Sequence, residues 1–226
     1  MIRFVMLTFL VISAAQAAVI GQIDDFQDGT TQGWFKPPGA SIPLFVLPNG
    51  QGGAGDFFLF LASLGGLDDD ALLVSNDAQW TGDYTTSGIG SIEMDVRNLG
   101  PQDVSLRLLF EELSGSTPVN QAISANAIVV PAGGQWTRIA FPILPAALVA
   151  GTGTVDGALS NTTVLRLFHN PDPTYPSEGL PPVFAFMGVD NIEAVAAPNA
   201  IPEPATLLLA GMGLILASAI RRNKRA

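Results

Sequence analysis

Ile92-Glu93-Met94-Asp95-Val96-Arg97 and Val104-Ser105-Leu106-Arg107-Leu108-Leu109-Phe110-Glu111 are the stretches whose reading decides the fold class. In the first, Ile92, Met94 and Val96 face one way and Glu93, Asp95 and Arg97 the other. In the second, Val104, Leu106, Leu108 and Phe110 oppose Ser105, Arg107 and Glu111, with Leu109 the exception. Successive side chains leave a strand on opposite sides, so a period of two marks a strand with one buried face. Asn98-Leu99-Gly100-Pro101-Gln102-Asp103 between them is turn-rich, and the pattern reads as a hairpin.

Further strands are expected at Val19 to Phe26, Phe57 to Ala62, Ala71 to Val74, Ala127 to Val130, Trp136 to Phe141, Val164 to Phe168 and Phe184 to Val195. Pro131-Ala132-Gly133-Gly134 is a turn between two of them. Helical periodicity is nearly absent, so the expectation is an all-β fold, an antiparallel two-sheet sandwich. Composition agrees. Of 226 residues, 24 are glycine and 17 proline, yet 48% are hydrophobic, too apolar for a disordered chain. With no cysteine, thiolate catalysis and thiolate metal sites are excluded.

All 20 acidic residues lie between Asp24 and Glu203, where only Lys36, Arg97, Arg107, Arg138 and Arg166 are basic, a net charge of −15. Such a surface repels nucleic acid and anionic membrane, and suits either simple solubility or divalent cations.

Both ends read as processing segments. Residues 1–17 form a signal peptide, with Arg3 before the apolar run Phe4 to Ile12 and an A-x-A site, Ala15-Gln16-Ala17, for signal peptidase. The sandwich is assigned to 18–197 and a sorting tail to 198–226. In that tail Pro202-Glu203-Pro204 precedes 16 uncharged residues, 205–220, and then Arg221, Arg222, Lys224 and Arg225. Sixteen residues make about 24 Å of helix against a hydrocarbon core of about 30 Å, short for a lasting anchor. The basic end stays cytoplasmic and leaves the domain outside.

The tail resembles the PEP-CTERM sorting signal of Gram-negative bacteria that make extracellular polysaccharide. That resemblance implies recognition by an exosortase, a transient membrane anchor, and residence at the cell surface or outside it. Pro202, Glu203, Pro204, Arg221 and Arg222 are the matching positions. A second resemblance concerns the middle. Asp24-Asp25-Phe26-Gln27-Asp28-Gly29 with Gly33-Trp34 is similar to the opening of carbohydrate-binding-module jelly rolls, and Val189-Asp190-Asn191-Ile192 to their final strand. Trp80-Thr81-Gly82-Asp83-Tyr84 and Gly133-Gly134-Gln135-Trp136 are similar to stretches of such modules as well. This resemblance implies a structural calcium held by Asp25, Asp28 and Asp190, although Gln27 stands where the family often has glutamate; the other reading of these aspartates is turn capping.

Catalytic patterns are weak. Glu93 and Asp95 share a strand face, but Asn98 stands where the E-x-D-x-x-E of some jelly-roll glycosidases has its third carboxylate. Glu111 and Glu112 are adjacent and point to opposite faces. Leu67-Asp68-Asp69-Asp70-Ala71 lacks EF-hand spacing. His169 is the sole histidine, beside a turn-rich Asn170-Pro171-Asp172-Pro173, and reads as a loop residue. Trp34 and Trp136 are assigned to packing, and Trp80 and Tyr84 to possible contact with a glycan. The expected function is that of a non-enzymatic surface or matrix protein; the alternative is a carbohydrate-binding module for exopolysaccharide, and behind both a glycan-active enzyme.

The tail yields the first prediction. Pro202 and Pro204 prevent the helix from extending upstream, which leaves Glu203 outside it for a membrane enzyme to read. Intact-mass measurement of protein recovered from cells should show a chain lacking most of 205–226, and a chain retaining that segment would make the tail an ordinary anchor.

Overall fold

The computed structural model describes residues 17–198 apart from 39, 66–70 and 177–178, so the expected leader up to residue 16, the tail from residue 199 and the Asp68–Asp70 cluster lie outside the described residues. Two antiparallel sheets face each other. The first runs β10 (Thr137–Pro142), β6 (Ile89–Asn98), β13 (Phe184–Ala196), β4 (Gly53–Leu64) and β3 (Phe45–Gly50), with β1 (Ile23–Asp24) also paired to β13. The second runs β11 (Leu148–Ala150), β8 (Thr117–Ser124), β7 (Val104–Ser114), β12 (Val164–His169), β5 (Leu73–Asn76) and β2 (Trp34–Phe35), with β9 (Ile128–Val130) also on β7. The expected all-β sandwich is therefore the observed fold.

The core lies between the sheets. Leu59, Leu61, Ile92, Met94, Val96, Met187 and Val189 from the first meet Val74, Val104, Leu106, Leu108, Phe110, Leu165 and Leu167 from the second. These are the inward positions of the period-two pattern, as a sandwich requires.

The hairpin reading is corrected. β6 pairs with β10 and β13, and β7 with β8, β9 and β12, so residues 98–103 cross from one sheet to the other. The crossing is held by buried Asn98, whose amide donates to the carbonyls of Gln102 at 2.7 Å and Val130 at 3.1 Å while its Oδ1 accepts from Gly100 N–H. Alternation shows that each strand has one buried face; it is silent on whether two such faces lie side by side or opposite each other. Leu109, the exception to the pattern, faces outward into a second small core with Leu73, Ile123, Phe168 and Leu180, which Tyr175 partly covers.

Other differences have local causes. Only Ile23–Asp24 of the first expected strand enters the ladder, between Gly21 and Phe26, both at positive φ. β2, β3, β8 and β11 were not expected: β3 contains Pro48, tolerated on an edge strand, and β8 begins with exposed Thr117, Pro118 and Val119. A short helix α1, Val155–Ser160, starts at Thr154, whose hydroxyl accepts from Gly157 N–H at 3.0 Å. His169 is no loop residue: it ends β12, is buried, and its Nδ1 accepts from Ser105 N–H at 3.0 Å. Burial holds that imidazole below its ordinary pKa.

One buried carboxylate ties the layers together. Asp24 of β1 accepts the indole N–H of Trp34 at 2.7 Å and that of Trp80 at 2.6 Å, and the Gln79 amide adds a donor at 3.2 Å. Asp24→Ala leaves two indole N–H groups buried without an acceptor, and should cost roughly 3–5 kcal/mol. Denaturant unfolding measures it; Asp24→Asn, which keeps one acceptor oxygen, should cost less, and a loss below about 1 kcal/mol for Asp24→Ala would refute the role.

Candidate functional site

The first sheet carries two groupings, and both depend on the β3–β4 hairpin lying against β13. The first is acidic. Asp190 of β13 is fully buried; one carboxylate oxygen accepts from Asn191 N–H at 2.8 Å and the other from Gln51 N–H at 3.2 Å. Asp56 reaches the same place, for a Cβ on Gly50 would stand 2.7 Å from an oxygen of each carboxylate, so the hairpin turn needs glycine there. The Gln27 carboxamide nitrogen bridges the neighbouring acceptors, donating to Asp56 Oδ1 at 2.7 Å, the Asp25 carbonyl at 2.8 Å and the Phe57 carbonyl at 3.3 Å. Burial first, and then Asp56, push the Asp190 carboxyl up to about 7.

The set Asp25, Asp28 and Asp190 does not converge as expected. The Asp25 carboxylate accepts from Gln27 N–H and the Gln32 amide, and Asp28 is exposed and caps Thr30 through its N–H and hydroxyl. Those bonds to Thr30 hold the Asp28 carboxyl below its ordinary range. Among the described residues, no group of three or more acidic, histidine or cysteine side chains is placed to hold a metal. What stands beside Asp190 is Asp56, whose other oxygen shares the Gln27 carboxamide with the carbonyls of Asp25 and Phe57. Carboxylate and carbonyl oxygens are the donor types calcium takes. Asp56 was missed because it lies 134 residues from Asp190 and carries no local motif.

The second grouping is aromatic. Along the outer face, Phe45 of β3 stands opposite Phe60 of β4, and Phe60 opposite Gly188 of β13. Phe60 and Phe186 lie nearly parallel, 6.2 Å apart at 12°, while Phe184 meets Phe186 edge-on at 5.3 Å. Trp136 folds over the sheet onto Phe58, centroids 5.3 Å apart; a Cβ on Gly188 would stand 2.7 Å from its ring, so glycine makes room for the indole. Phe45 keeps 45% of its surface, Phe184 39% and Leu64 49%. The outer face of such a sheet is ordinarily polar, and a contiguous apolar patch marks an interaction site. The other half of the same face is polar: Arg138 is paired with Glu93 at 3.3 Å, Asp95 at 3.5 Å and Glu193 at 2.6 Å.

Trp80 and Tyr84, expected as glycan contacts, are core residues at 0% and 3% exposure. Trp80 is turned inward by Asp24, and the Tyr84 hydroxyl donates to the Trp80 carbonyl at 2.9 Å. Burial raises the Tyr84 phenol above its ordinary pKa. Of the tryptophans assigned to packing, Trp34 is in the core, whereas Trp136 is half-buried on the outer face. The sequence signal for the aromatic face was the run Phe57-Phe58-Leu59-Phe60 and the pair Phe184 and Phe186, where apolar side chains fall on both faces of a strand.

The outer face of the second sheet is closed on itself. Glu111 pairs with Arg166 at 2.7 Å and accepts from Gln121 at 2.8 Å; Arg166 also donates to Ser75 and lies 5.8 Å from the Tyr175 ring centroid. An open groove of about 380 Å³ is lined by Asp77, Thr81, Gly82, Asp83 and Ser160 to Thr163.

Comparison with known proteins places both parts of the chain. A family model described as the PEP-CTERM protein-sorting motif matches residues 200–225. No curated protein sequence matches. In fold the sandwich is similar to a family 11 carbohydrate-binding module from Clostridium thermocellum, solved with a beta-1,3-1,4-mixed-linked tetrasaccharide: 15% identity and TM-score 0.50 over 80% of this chain and 98% of that one. It is similar to part of an exo-beta-agarase, at 13% identity and TM-score 0.54 over 79% of this chain and 25% of that one. A second agarase gives 12% and 0.50 over 80% and 26%. At such identities the likeness is one of fold. The chain thus carries a PEP-CTERM sorting motif, which marks an exported protein sorted to the cell surface, behind a jelly-roll sandwich similar to family 11 carbohydrate-binding modules.

Proposed function

We propose that the sandwich is a non-catalytic glycan-binding module, displayed at the cell surface by the sorting tail, and that it takes neutral extracellular polysaccharide on the aromatic face of β3, β4 and β13. The observation that carries this reading is the exposure of Phe45 and Phe184 beside half-buried Phe60 and Phe186 on one outer sheet face. The C–H faces of sugar rings are apolar and stack on aromatic planes, while their hydroxyl groups stay hydrated at the edges. A net charge of −15 over the exported part disfavours polyanions, which leaves neutral chains. The fold likeness to a module crystallised with a glucan-type tetrasaccharide supports the reading. Glu93 and Asp95, the carboxylates that could have served a glycosidase, are instead tied to Arg138.

Affinity electrophoresis of the purified protein in gels containing neutral polysaccharides tests the assignment. The double variant Phe45→Ala, Phe184→Ala should weaken retardation at least about tenfold, equivalent to about 1.4 kcal/mol. Both rings lie outside the core, on the outer sheet face, so the melting temperature should change less than for loss of a buried phenylalanine. Retardation by no neutral polysaccharide, or retardation that the double variant leaves intact, would remove the aromatic face from consideration.

Calcium belongs to the same proposal as a structural ion at Asp190 and Asp56, with Gln27 and the carbonyls of Asp25 and Phe57, where it would brace the hairpin that carries Phe45 and Phe60. The Asp190 carboxyl has a folded pKa above its ordinary value, so the folded state binds the proton more tightly than the unfolded one. The contribution of this carboxyl to stability is therefore lost as pH rises from about 4 to about 7. In chelator, the melting temperature of the wild type should fall more, or rise less, between about pH 5 and about pH 8 than that of Asp190→Asn. Calcium should restore it at the higher pH, more so in Gln27→Glu, and Asp190→Asn should abolish both responses. Indifference to calcium in the wild type and in Gln27→Glu would leave the pair sharing a proton only.

A further inference from the structure

Three strands of the first sheet and the lead-in to β1 meet at one end of it. Ile89 of β6 stands opposite Ala196 of β13, Pro142 of β10 opposite Ser91 of β6, and the Gly21 N–H ahead of β1 donates to the Ala194 carbonyl at 2.8 Å. The segments that run past these strand ends adjoin one another. Ile143 N–H donates to the Gly90 carbonyl at 2.9 Å, and the Ile20 side chain lies on Gly88, where a Cβ would stand 3.3 Å from its Cδ1. The surface they form is aliphatic and exposed. Val19 keeps 50% of its area, Ile20 48% and Leu144 56%, and Pro145 and Ala146 are exposed too. It also bears no charged side chain: residues 17–22, 84–91, 140–150 and 194–198 contain neither acid nor base, in a chain with 20 acids. The acids next to these segments are occupied. Glu193 is paired with Arg138 at 2.6 Å, and Asp83 accepts from the N–H of Thr85 and from the hydroxyls of Thr85 and Thr86.

We propose that this end of the sandwich rests on the lipid surface of the membrane for as long as the sorting tail is attached. The inference rests on the reading of 205–220 as a membrane segment. β13 ends inside the uncharged surface, at Ala196, and is the strand that leads into the tail. Nine residue steps separate Ala196 from Ala205, at most about 32 Å of extended chain. So short a tether supplies an effective concentration on the order of millimolar, which lets a weak surface bind. Exposed aliphatic side chains enter the boundary between headgroups and acyl chains, and they lack the aromatic planes on which sugars stack. Charge selects the same end. The acidic remainder of the domain is repelled by anionic lipid, so the uncharged end is the one that approaches. Phe184 begins β13 and Ala196 ends it, so contact at Ala196 leaves the aromatic face clear of the bilayer. The contact involves few side chains and holds only while tethered; loss of 205–226 releases the domain.

The chain has no cysteine, so the single substitution Leu144→Cys places a polarity-sensitive dye at a defined point of this surface. The exported chain with its tail intact is reconstituted in phosphatidylcholine vesicles that hold no other protein. Dye emission at residue 144 should shift to the blue and be quenched by brominated acyl chains. Both effects should be lost on adding Val19→Asp and Ile20→Asp, two positions about half exposed, and in a chain ending at Pro204. A dye at Leu99→Cys, just past the opposite end of β6, should show neither effect. Protein that floats with the vesicles but gives no shift at residue 144 would overturn the lipid contact alone, and protein that does not float would overturn it together with the anchor. Equal quenching at residues 99 and 144 would overturn the choice of end. A shift that needs added exosortase would make the surface a protein contact and overturn the lipid assignment.

Discussion

A carboxylate buried against two indoles holds this sandwich in register. Asp24 lies on β1 of the first sheet, Trp34 on β2 of the second, and Trp80 just beyond β5, so a single side chain joins both layers at one end. Burial raises the Asp24 carboxyl above its ordinary pKa, and the bonds from Trp80, Trp34 and Gln79 act against that shift. An ionised carboxylate is expensive to bury unless it is well supplied with donors, and here donors arrive from three directions. The consequence spreads outward. Trp80, fixed by Asp24, accepts the Tyr84 hydroxyl; the segment between them carries Thr81 and Gly82, on which Ala17 and Ala18 lie.

Close by on the same sheet, a different arrangement of carboxylates joins the β3–β4 turn to β13. Asp56 and Asp190 are brought together by the β3–β4 turn and by β13, and both those elements carry the exposed phenylalanines. The same pairing of β4 with β13 thus positions both the acid pair and the phenylalanines. Gly50 and Gly188 are places where this packing leaves no room for a side chain, one for the carboxylates and one for Trp136.

The two sheets resolve their outer faces differently. On the second, outward residues are covered: Leu109, Phe168 and Leu180 form a small second core, and Glu111, Arg166, Gln121 and Ser75 satisfy one another. A satisfied buried network of this kind is structural, and it leaves little free hydrogen-bonding capacity for a ligand. On the first, polar residues gather around Arg138 and apolar ones around Phe60 and Phe186, and the apolar half remains uncovered. The difference between them is why the first sheet, and not the second, carries the proposed contact with a partner.

Local pattern was enough to identify the strands β6 and β7 with their inward residues, the all-β class, and the sorting tail with its Pro-Glu-Pro box, because each of these is written in neighbouring residues. The resemblance put residues near Asp24 beside those near Asp190, and Asp24 and Ile23 do lie beside Ile192 and Glu193, although Asp28 does not join them. The sheet to which β6 and β7 each belong was not legible, since a period of two fixes a face but not a partner. Nor was the true company of Asp190: Asp56 joins it through a turn whose only local mark is a run of glycines. Trp80 was misplaced for the same reason, as its polar neighbours in sequence concealed the acceptor on β1 that draws it inside. The sequence by itself determined the strongly alternating strands and the sorting motif at the end of the chain; the tertiary structure decided which segments meet, because burial and hydrogen-bond satisfaction are set by neighbours in space.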